Sequence, residues 1–205
     1  MKKRICALFL FDGYADWEPA LVLANLNTYS DFSIFPFSVS GKTVTSMGGL
    51  EINSQKTLTD IQARDLDLLL IPGGDAWEQE SSANTELTGL VKEMISQKKV
   101  VAAICGATIL LGKAGILNDM PHTSNSQHYL KQHCREYKGE DFYQQQPCVS
   151  ANGIITANGA AMIEFAYQIY KAFQLFDADT LENIKDLYKS GGMVNRFHDQ
   201  GAGAA

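Results

Sequence analysis

A cysteine at the abrupt end of an apolar segment is the residue of this chain best suited to covalent chemistry. Val100 to Ile104 is a run of small and β-branched apolar residues, the pattern of a strand buried on both faces. Cys105 and Gly106 follow at once, and an apolar, helix-like run begins at Ala107. A strand, a reactive side chain and a helix joined without a loop indicate a nucleophile elbow. The N-terminus of that helix would favour the thiolate, although a buried cysteine that packs as a small hydrophobe fits the same pattern.

Three glycines are candidates to stabilise the negative charge that forms on the substrate in such chemistry. A thiol that attacks a carbonyl group generates an oxyanion, and preorganised N–H groups stabilise it. Gly73 and Gly74 follow a predicted strand, and Gly106 follows the cysteine. Because glycine leaves its backbone N–H unobstructed, we predict that these three residues donate to the oxyanion. A tight turn without catalytic meaning is the alternative for Gly73 and Gly74.

Glu18 is the acidic residue that we expect to act on the cysteine. It lies in the first turn of the helix predicted after the first strand, Ile5–Phe11. Sites in open parallel sheets lie beyond the carboxyl ends of the strands, so the segments after this strand, after Ile71 and after Ile104 are expected at one rim. A carboxyl group there can hydrogen-bond the thiolate or transfer a proton. The alternative role for Glu18 is an interaction with the helix dipole.

The elements that position these residues alternate along the chain between strand-like and helix-like segments. This alternation predicts an α/β fold with a doubly wound, mainly parallel sheet flanked by helices. The other predicted strands are Phe32–Val39, Leu66–Ile71 and Val100–Ile104, and Pro36 indicates that the first of these lies at an edge or is interrupted. Hairpins are predicted over residues 43–54 and 148–156. The predicted helix caps are Asp16, Asn84 and a capping box from Asp179 to Glu182.

Composition limits the class of protein. The chain has 205 residues, 45% hydrophobic and 20% charged, which suits one α/β domain, predicted over residues 1–190, with a flexible tail over residues 191–205. A formal net charge of −6 and a pI near 5.2 argue against nucleic acid or an anionic membrane as a partner. No apolar run approaches the roughly 20 residues of a membrane span. Four cysteines without a close pair predict free thiols and a cytoplasmic location.

Several motifs in a fixed order connect the chain to a known group of proteins. They are Gly13-Tyr-Ala-Asp-Trp-Glu18, Leu68-Leu-Leu-Ile-Pro-Gly-Gly74, Ala102-Ala-Ile-Cys-Gly-Ala107, Gly112-Lys-Ala-Gly-Ile-Leu117 and Gly153-Ile-Ile-Thr-Ala-Asn-Gly159. With these motifs, residues 4 to 175 resemble the ThiJ/PfpI superfamily, which belongs to the class I glutamine amidotransferase-like fold. The resemblance implies a flavodoxin-like three-layer sandwich, a homodimer, and an elbow cysteine with a nearby glutamate. Those two roles fall on Cys105 and Glu18.

The activities of the superfamily leave the reaction open. The leading hypothesis is a cysteine-dependent hydrolase that resembles PfpI-type peptidases and amidases and acts on a small-molecule or peptide carbonyl group. A glyoxalase-like or deglycase-like aldehyde enzyme is the first alternative. A non-catalytic sensor of oxidative stress, in which a low-pKa Cys105 is oxidised, is the second. None of these hypotheses requires a cofactor or a metal.

The chain departs from the superfamily pattern at two positions. Protease-like members carry a histidine directly after the cysteine, where this chain has Gly106, and other members carry one in a segment that here ends at Asn125. Asparagine cannot act as a general base, so we expect Asn125 to orient groups or to donate hydrogen bonds. His122 and His128 flank it and are the candidates to restore a Cys–His pair. A metal site from His128, His133 and Cys134 is possible by ligand type but lacks a convincing ligand spacing.

Overall fold

The computed structural model describes residues 3–54, 56–79 and 85–192. The strands in chain order are β1 (Arg4–Phe9), β2 (Phe32–Phe37), β3 (Thr43–Thr45), β4 (Glu51–Asn53), β5 (Leu68–Ile71), β6 (Val100–Ile104), β7 (Cys148–Ala151) and β8 (Ile154–Ala157). The helices are α1 (Trp17–Tyr29), α2 (Thr85–Ser96), α3 (Thr108–Lys113), α4 (Gln127–His133), α5 (Met162–Ala172) and α6 (Ala178–Lys189). Short 3-10 turns connect several of them.

The centre of the fold is a six-stranded sheet in the order β2-β1-β5-β6-β8-β7. The first five strands run parallel to one another, and β7 pairs antiparallel with β8 at the edge. The strands β3 and β4 form a separate antiparallel hairpin. The prediction of a doubly wound, mainly parallel sheet is confirmed. The prediction that Pro36 marks an edge strand is also confirmed, because β2 pairs only with β1 in this sheet.

Side chains of the central strands belong to two apolar layers, one on each face of the sheet. In β5, Leu69 and Ile71 belong to the layer covered by α2, α3 and α4, whereas Leu68 and Leu70 belong to the layer covered by α1, α5 and α6. This alternation explains why the strand is an unbroken apolar run. The burial of each such leucine contributes about 2 kcal/mol to the free energy of folding.

The sheet order places the chemistry-bearing segments next to one another. The strands β1, β5 and β6 are neighbours in the middle of the sheet, and their carboxyl ends lead to Glu18, Gly73 and Cys105 respectively. The expectation that these three segments meet at one rim is therefore confirmed. The hairpin of β3 and β4 reinforces the first segment, since Oδ1 of Asp12 accepts a hydrogen bond from the N–H of Thr45 at 2.8 Å.

Two of the predicted helix caps are wrong. Asp16 occupies the N-cap position of α1 without a side-chain capping bond, because its Oδ2 accepts a hydrogen bond from the Ser46 hydroxyl at 2.7 Å. The cap of α6 is Asp177, whose carboxylate accepts from the N–H of Thr180, and the predicted cap Asp179 lies in the first turn. The predicted cap Asn84 and the tail from residue 193 onward lie outside the described residues.

In the part of the chain that the structure describes, no helix is both long enough and apolar enough to cross a bilayer.

Candidate active site

Cys105 lies at a sharp turn between β6 and α3. Its φ of 59° is in the left-handed region, which a residue with a side chain adopts only where its surroundings enforce it. The turn continues as a 3-10 helix over Cys105–Ala107 and passes directly into α3. The hydroxyl of Thr108 donates to the Cys105 carbonyl oxygen at 2.7 Å and fixes the turn from inside. The elbow predicted from the sequence is confirmed.

Gly73 allows the chain after β5 to approach both the cysteine and Glu18. A Cβ at this position would lie 2.5 Å from the Cβ of Cys105 and 2.8 Å from Oε2 of Glu18, so only glycine fits. The N–H of Gly73 donates to the same Oε2 of Glu18 at 2.5 Å. This contact corrects the prediction that Gly73 donates to an oxyanion, because its N–H is already used to hold the glutamate.

Glu18 is a buried carboxyl group that faces the cysteine. Only 1% of its surface is exposed, although it lies in the first turn of α1. Burial raises the pKa of Glu18 to about 7, and hydrogen bonds from the N–H of Gly73 and from the Cys105 thiol limit the increase. The carboxyl group therefore exchanges its proton near neutral pH, as a general acid or base requires.

The Cys105 thiol is only partly exposed, and its pKa moves in the direction opposite to the one predicted from the sequence. Burial and, secondly, the Glu18 carboxylate raise the pKa of Cys105 to about 11, although Asn125 and the N–H of Gly106 act in the other direction. The charge of Glu18 disappears when Glu18 is protonated, so the two groups titrate as one coupled pair.

Asn125 donates to the cysteine sulfur. Its Nδ2 lies 3.4 Å from Sγ of Cys105, and its Oδ1 accepts from the N–H of Gly159 at 3.0 Å. The bond from Gly159 fixes the amide so that its NH2 group faces the sulfur. The segment reaches this place because the hydroxyls of Ser124 and Thr108 lie 2.7 Å apart and connect it to the elbow.

Gly106 is closely packed on the side where a Cβ would lie. A Cβ at this position would lie 3.0 Å from the carbonyl oxygen of Gly74 and 3.1 Å from Cβ of Trp77. Trp77 is itself fixed, since its Nε1 donates to the Pro72 carbonyl oxygen at 3.0 Å. A histidine directly after the cysteine would therefore require Trp77 or the chain at Gly74 to shift. Sequence reasoning missed Trp77, because a lone tryptophan in a loop carries no signal of what it contacts.

The two candidate histidines lie in different environments. His122 is buried, with Nε2 bonded to the Tyr137 hydroxyl at 2.7 Å and Nδ1 to the Met120 carbonyl oxygen at 2.8 Å. Burial lowers its pKa, so the ring is a neutral structural element. His128 lies exposed on α4 and lines a surface hollow with Lys131. The prediction that His122 assists Cys105 is wrong on geometric grounds, because both of its ring nitrogens are engaged elsewhere, whereas assistance from His128 stays a prediction.

Potential metal ligands are dispersed. Within residues 3–54, 56–79 and 85–192, no three His, Cys, Asp or Glu side chains are arranged to hold a metal ion. Of the residues considered from the sequence, Cys134 donates its thiol hydrogen to the Ile109 carbonyl oxygen at 3.5 Å. The ring of His133 packs against Tyr129 with 4.8 Å between ring centroids.

Tyr129 and Glu78 extend the site toward solvent. The Tyr129 hydroxyl donates to Oε1 of Glu78 at 3.1 Å and also interacts with the Asn125 amide. Burial and the charge of Glu78 raise the pKa of Tyr129, so the phenol stays protonated. Sequence reasoning identified neither residue, although Ser126, which caps α4 by accepting from the Tyr129 N–H, does predict where this helix begins.

Comparison with known proteins identifies the family to which a chain with this site belongs. Residues 3–172 match the profile of the DJ-1/PfpI family. The chain belongs to this family. It is 33% identical to the uncharacterized protease YoaZ of Bacillus subtilis, over 93% of both chains. It is 36% identical to the uncharacterized protease YdeA of the same organism, over 91% of this chain and 89% of that protein.

One solved structure and one more distant relative are also similar to this chain. A DJ-1 superfamily protein from Agrobacterium tumefaciens superposes with a TM-score of 0.84 at 36% identity, over 92% of this chain and 99% of that one. The two proteins therefore share the three-layer fold over nearly the whole of this chain. A deglycase of Pyrococcus horikoshii is 30% identical over 82 residues, which are 40% of this chain and 49% of that protein.

Proposed function

We propose that this DJ-1/PfpI protein is a cysteine-dependent, hydrolase-like enzyme in which Cys105 adds to a carbonyl carbon and Glu18 transfers the proton. The observation that carries the proposal is the hydrogen bond between the Cys105 thiol and a buried carboxyl group whose pKa is about 7. A nucleophile paired with a group that exchanges protons at neutral pH meets the basic requirement of covalent catalysis.

The proposed first step is the addition of the thiol to the carbonyl group. Glu18 in its carboxylate form takes the thiol proton while sulfur forms a bond to the carbonyl carbon, and the electron pair of the C=O bond moves to oxygen. The N–H groups of Gly74 and Gly106 are the candidate donors to that oxyanion. Glu18 then returns the proton to the oxygen, which leaves a tetrahedral adduct and regenerates the carboxylate.

The geometry favours an aldehyde as the carbonyl compound. An aldehyde reaches a hemithioacetal in this one step. Glu18 can then move a proton from the hemithioacetal carbon of an α-oxoaldehyde to the neighbouring carbonyl carbon, which leaves a 2-hydroxy thioester on Cys105, and water hydrolyses this thioester to the 2-hydroxy acid and the free thiol. Amide cleavage also ends in thioester hydrolysis, but it requires in addition a proton for the leaving amine. The arrangement of Gly106 against Trp77 and the engaged ring of His122 leave that additional task to Glu18.

A peptidase or amidase is the second candidate. The relatives YoaZ and YdeA, which align along almost their whole length, are both named as proteases. Glu18 would then protonate the leaving amine, and water would hydrolyse the thioester that remains on Cys105. A sensor based on a low-pKa thiolate receives less support, because burial raises the pKa of Cys105.

The cellular compartment and the oligomeric state of the enzyme are predictions as well. Four free cysteines support a reducing compartment such as the cytoplasm. A homodimer is what membership in the family leads us to expect.

Turnover of methylglyoxal, followed by proton NMR, tests the proposed function. We expect the wild type to convert it to lactate, and we expect Cys105→Ala to lose at least about 10²-fold in rate, while Cys148→Ala serves as the thiol control. Full activity in Cys105→Ala would contradict the proposal. Cleavage of a peptide panel by the wild type, without turnover of the aldehyde, would establish the second candidate instead.

A further inference from the structure

Two side chains at the mouth of the candidate site have no task in the proposed reaction. The Tyr129 hydroxyl donates to Oε1 of Glu78 at 3.1 Å. Tyr129 lies on α4, and Glu78 ends the 3-10 turn Asp75–Glu78 that follows Gly74. Their hydrogen bond therefore joins the segment after β5 to α4. Glu78 is exposed and Tyr129 is half-buried, so a charge at the surface is attached to a group inside the site.

The pair is connected to the cysteine sulfur through Asn125. The Tyr129 hydroxyl interacts with the Asn125 amide and with the charge of Cys105, and Nδ2 of Asn125 donates to Sγ at 3.4 Å. Only two groups thus separate the Glu78 carboxylate from the sulfur. A charge at this separation lies within about one Debye length, roughly 10 Å at 0.1 M salt, so it acts on ions that approach Cys105.

Tyr129 holds the carboxylate in a defined place. Its ring packs against His133, and its N–H is bonded to the Ser126 side chain. On its other side, Glu78 borders a hollow of mixed charge, which is lined by Glu78, Lys113, Gln132, His133, Arg135 and Glu136. Nζ of Lys113 donates to the Gln79 carbonyl oxygen at 3.3 Å. Of these lining residues, Glu78 is the one that accepts a hydrogen bond from Tyr129, and Tyr129 is connected to the Cys105 sulfur through Asn125.

We propose that Glu78, positioned by Tyr129, determines the charge of the compounds that reach Cys105. Cationic and neutral carbonyl compounds are admitted, and anionic ones such as α-keto acids are disfavoured, because the carboxylate attracts the former or leaves them unaffected and repels the latter. This inference rests on the proposed role of Cys105 as the nucleophile and adds a substrate class to it.

The charge at the mouth can be measured without any turnover. Two methanethiosulfonate reagents, one with a trimethylammonium group and one with a sulfonate group, each form a mixed disulfide with the Cys105 thiolate and release methanesulfinate. The ratio of their rate constants cancels the thiolate fraction, and the other three cysteines are buried. With the same ratio for a free thiol in solution as the reference, we expect the wild type to favour the cation by a further factor of roughly five at low salt, and we expect high salt to abolish this excess.

Three variants assign the preference to its source. Glu78→Gln is expected to lower the fivefold excess by about half, because the Glu18 carboxylate beside the sulfur remains. Tyr129→Phe is expected to lower it less, since the ring remains but the carboxylate loses its donor. Glu136→Gln, which lines the same hollow, is the control and is expected to preserve the ratio. A ratio unchanged in Glu78→Gln, or equally reduced in Glu136→Gln, would overturn the inference. Failure of Cys105 to react with either reagent would instead contradict its role as the nucleophile.

Discussion

At the scale of the residue, the chemistry of the site depends on two groups that share a hydrogen bond. Cys105 and Glu18 are both withdrawn from water, and burial raises the pKa of each. The neutral thiol beside a partly protonated carboxyl group is therefore the resting form. The sequence predicts the partnership, because both residues follow central strands, but it does not reveal how deeply either group is buried. For that reason the predicted direction of the cysteine pKa was wrong.

The buried glutamate makes the stability of the fold depend on pH. The pKa of Glu18 is about 7 in the folded chain, against an ordinary value of 4.5. Between these two values the folded state holds a proton that the unfolded state releases, so the free energy of unfolding must fall as the pH rises through this window. Glu18→Gln carries no such charge. We expect this variant to lose the decrease in the free energy of unfolding, which in the wild type is about 3 kcal/mol across the window.

Urea unfolding at a series of pH values measures this dependence. The matched control is Glu86→Gln, because Glu86 is exposed on α2, and it should follow the wild type throughout. If Glu18→Gln retains the same decrease in stability between mildly acidic and neutral pH, the carboxyl group is not buried as described.

At the scale of the element, the segments after β5 and β6 pack so closely that they determine which catalytic groups fit. Gly106 contacts Trp77 and the Gly74 carbonyl oxygen, and a Cβ would be about as close as such contacts allow, at 3.0 to 3.1 Å. The close packing of Gly106 against Trp77 thus disfavours a histidine at this position.

Substitution at this position tests the packing. We expect Gly106→His to lower the free energy of unfolding by about 2 kcal/mol or more, because the imidazole must displace Trp77 or the chain at Gly74. Gly89→His is the control, since a Cβ at Gly89 on α2 has open space around it. Urea midpoints of both variants provide the comparison. Equal effects at the two positions would show that the tight contact at Gly106 does not exist.

Some elements were predictable and others were not, for physical reasons. The buried strands β5 and β6 are unbroken apolar runs, and Asn152-Gly153 marks the turn between β7 and β8. The helix caps were less secure, because Asp177 and Asp179 both suit the start of α6 and only the structure distinguishes them. The site residues Tyr129 and Glu78 depend on contacts between distant segments, which no local pattern encodes.

At the scale of the whole molecule, the sheet separates the four cysteines into different environments. Cys6, Cys134 and Cys148 are buried in the two apolar layers, and Cys105 at the rim is partly exposed. The doubly wound topology was predictable from the alternation of elements, and it alone places Cys105 at the carboxyl end of the sheet. Which of the other cysteines are enclosed could not be read from the sequence, because that depends on the helices that cover each face.

Accessibility of the thiols follows from this arrangement. We expect an aromatic disulfide reagent to modify Cys105 alone in the folded protein and all four cysteines in denaturant. Cys105→Ser should leave the folded protein unreactive, and peptide mapping by mass spectrometry identifies the modified residue. Rapid modification of Cys6 or Cys148 in the folded state would contradict the packing of the layers on the sheet.

The most direct test of the account is the pH dependence of Cys105 alkylation by iodoacetamide, a neutral reagent, in the wild type and in Glu18→Gln. Because burial and the Glu18 carboxylate both raise the pKa of Cys105, removal of the carboxylate charge should shift the profile to lower pH. Asn125→Ala should shift it the other way, since the thiolate loses a donor. A profile in Glu18→Gln that is unchanged, or that moves to higher pH, would contradict the claim that these two residues act as one acid–base pair.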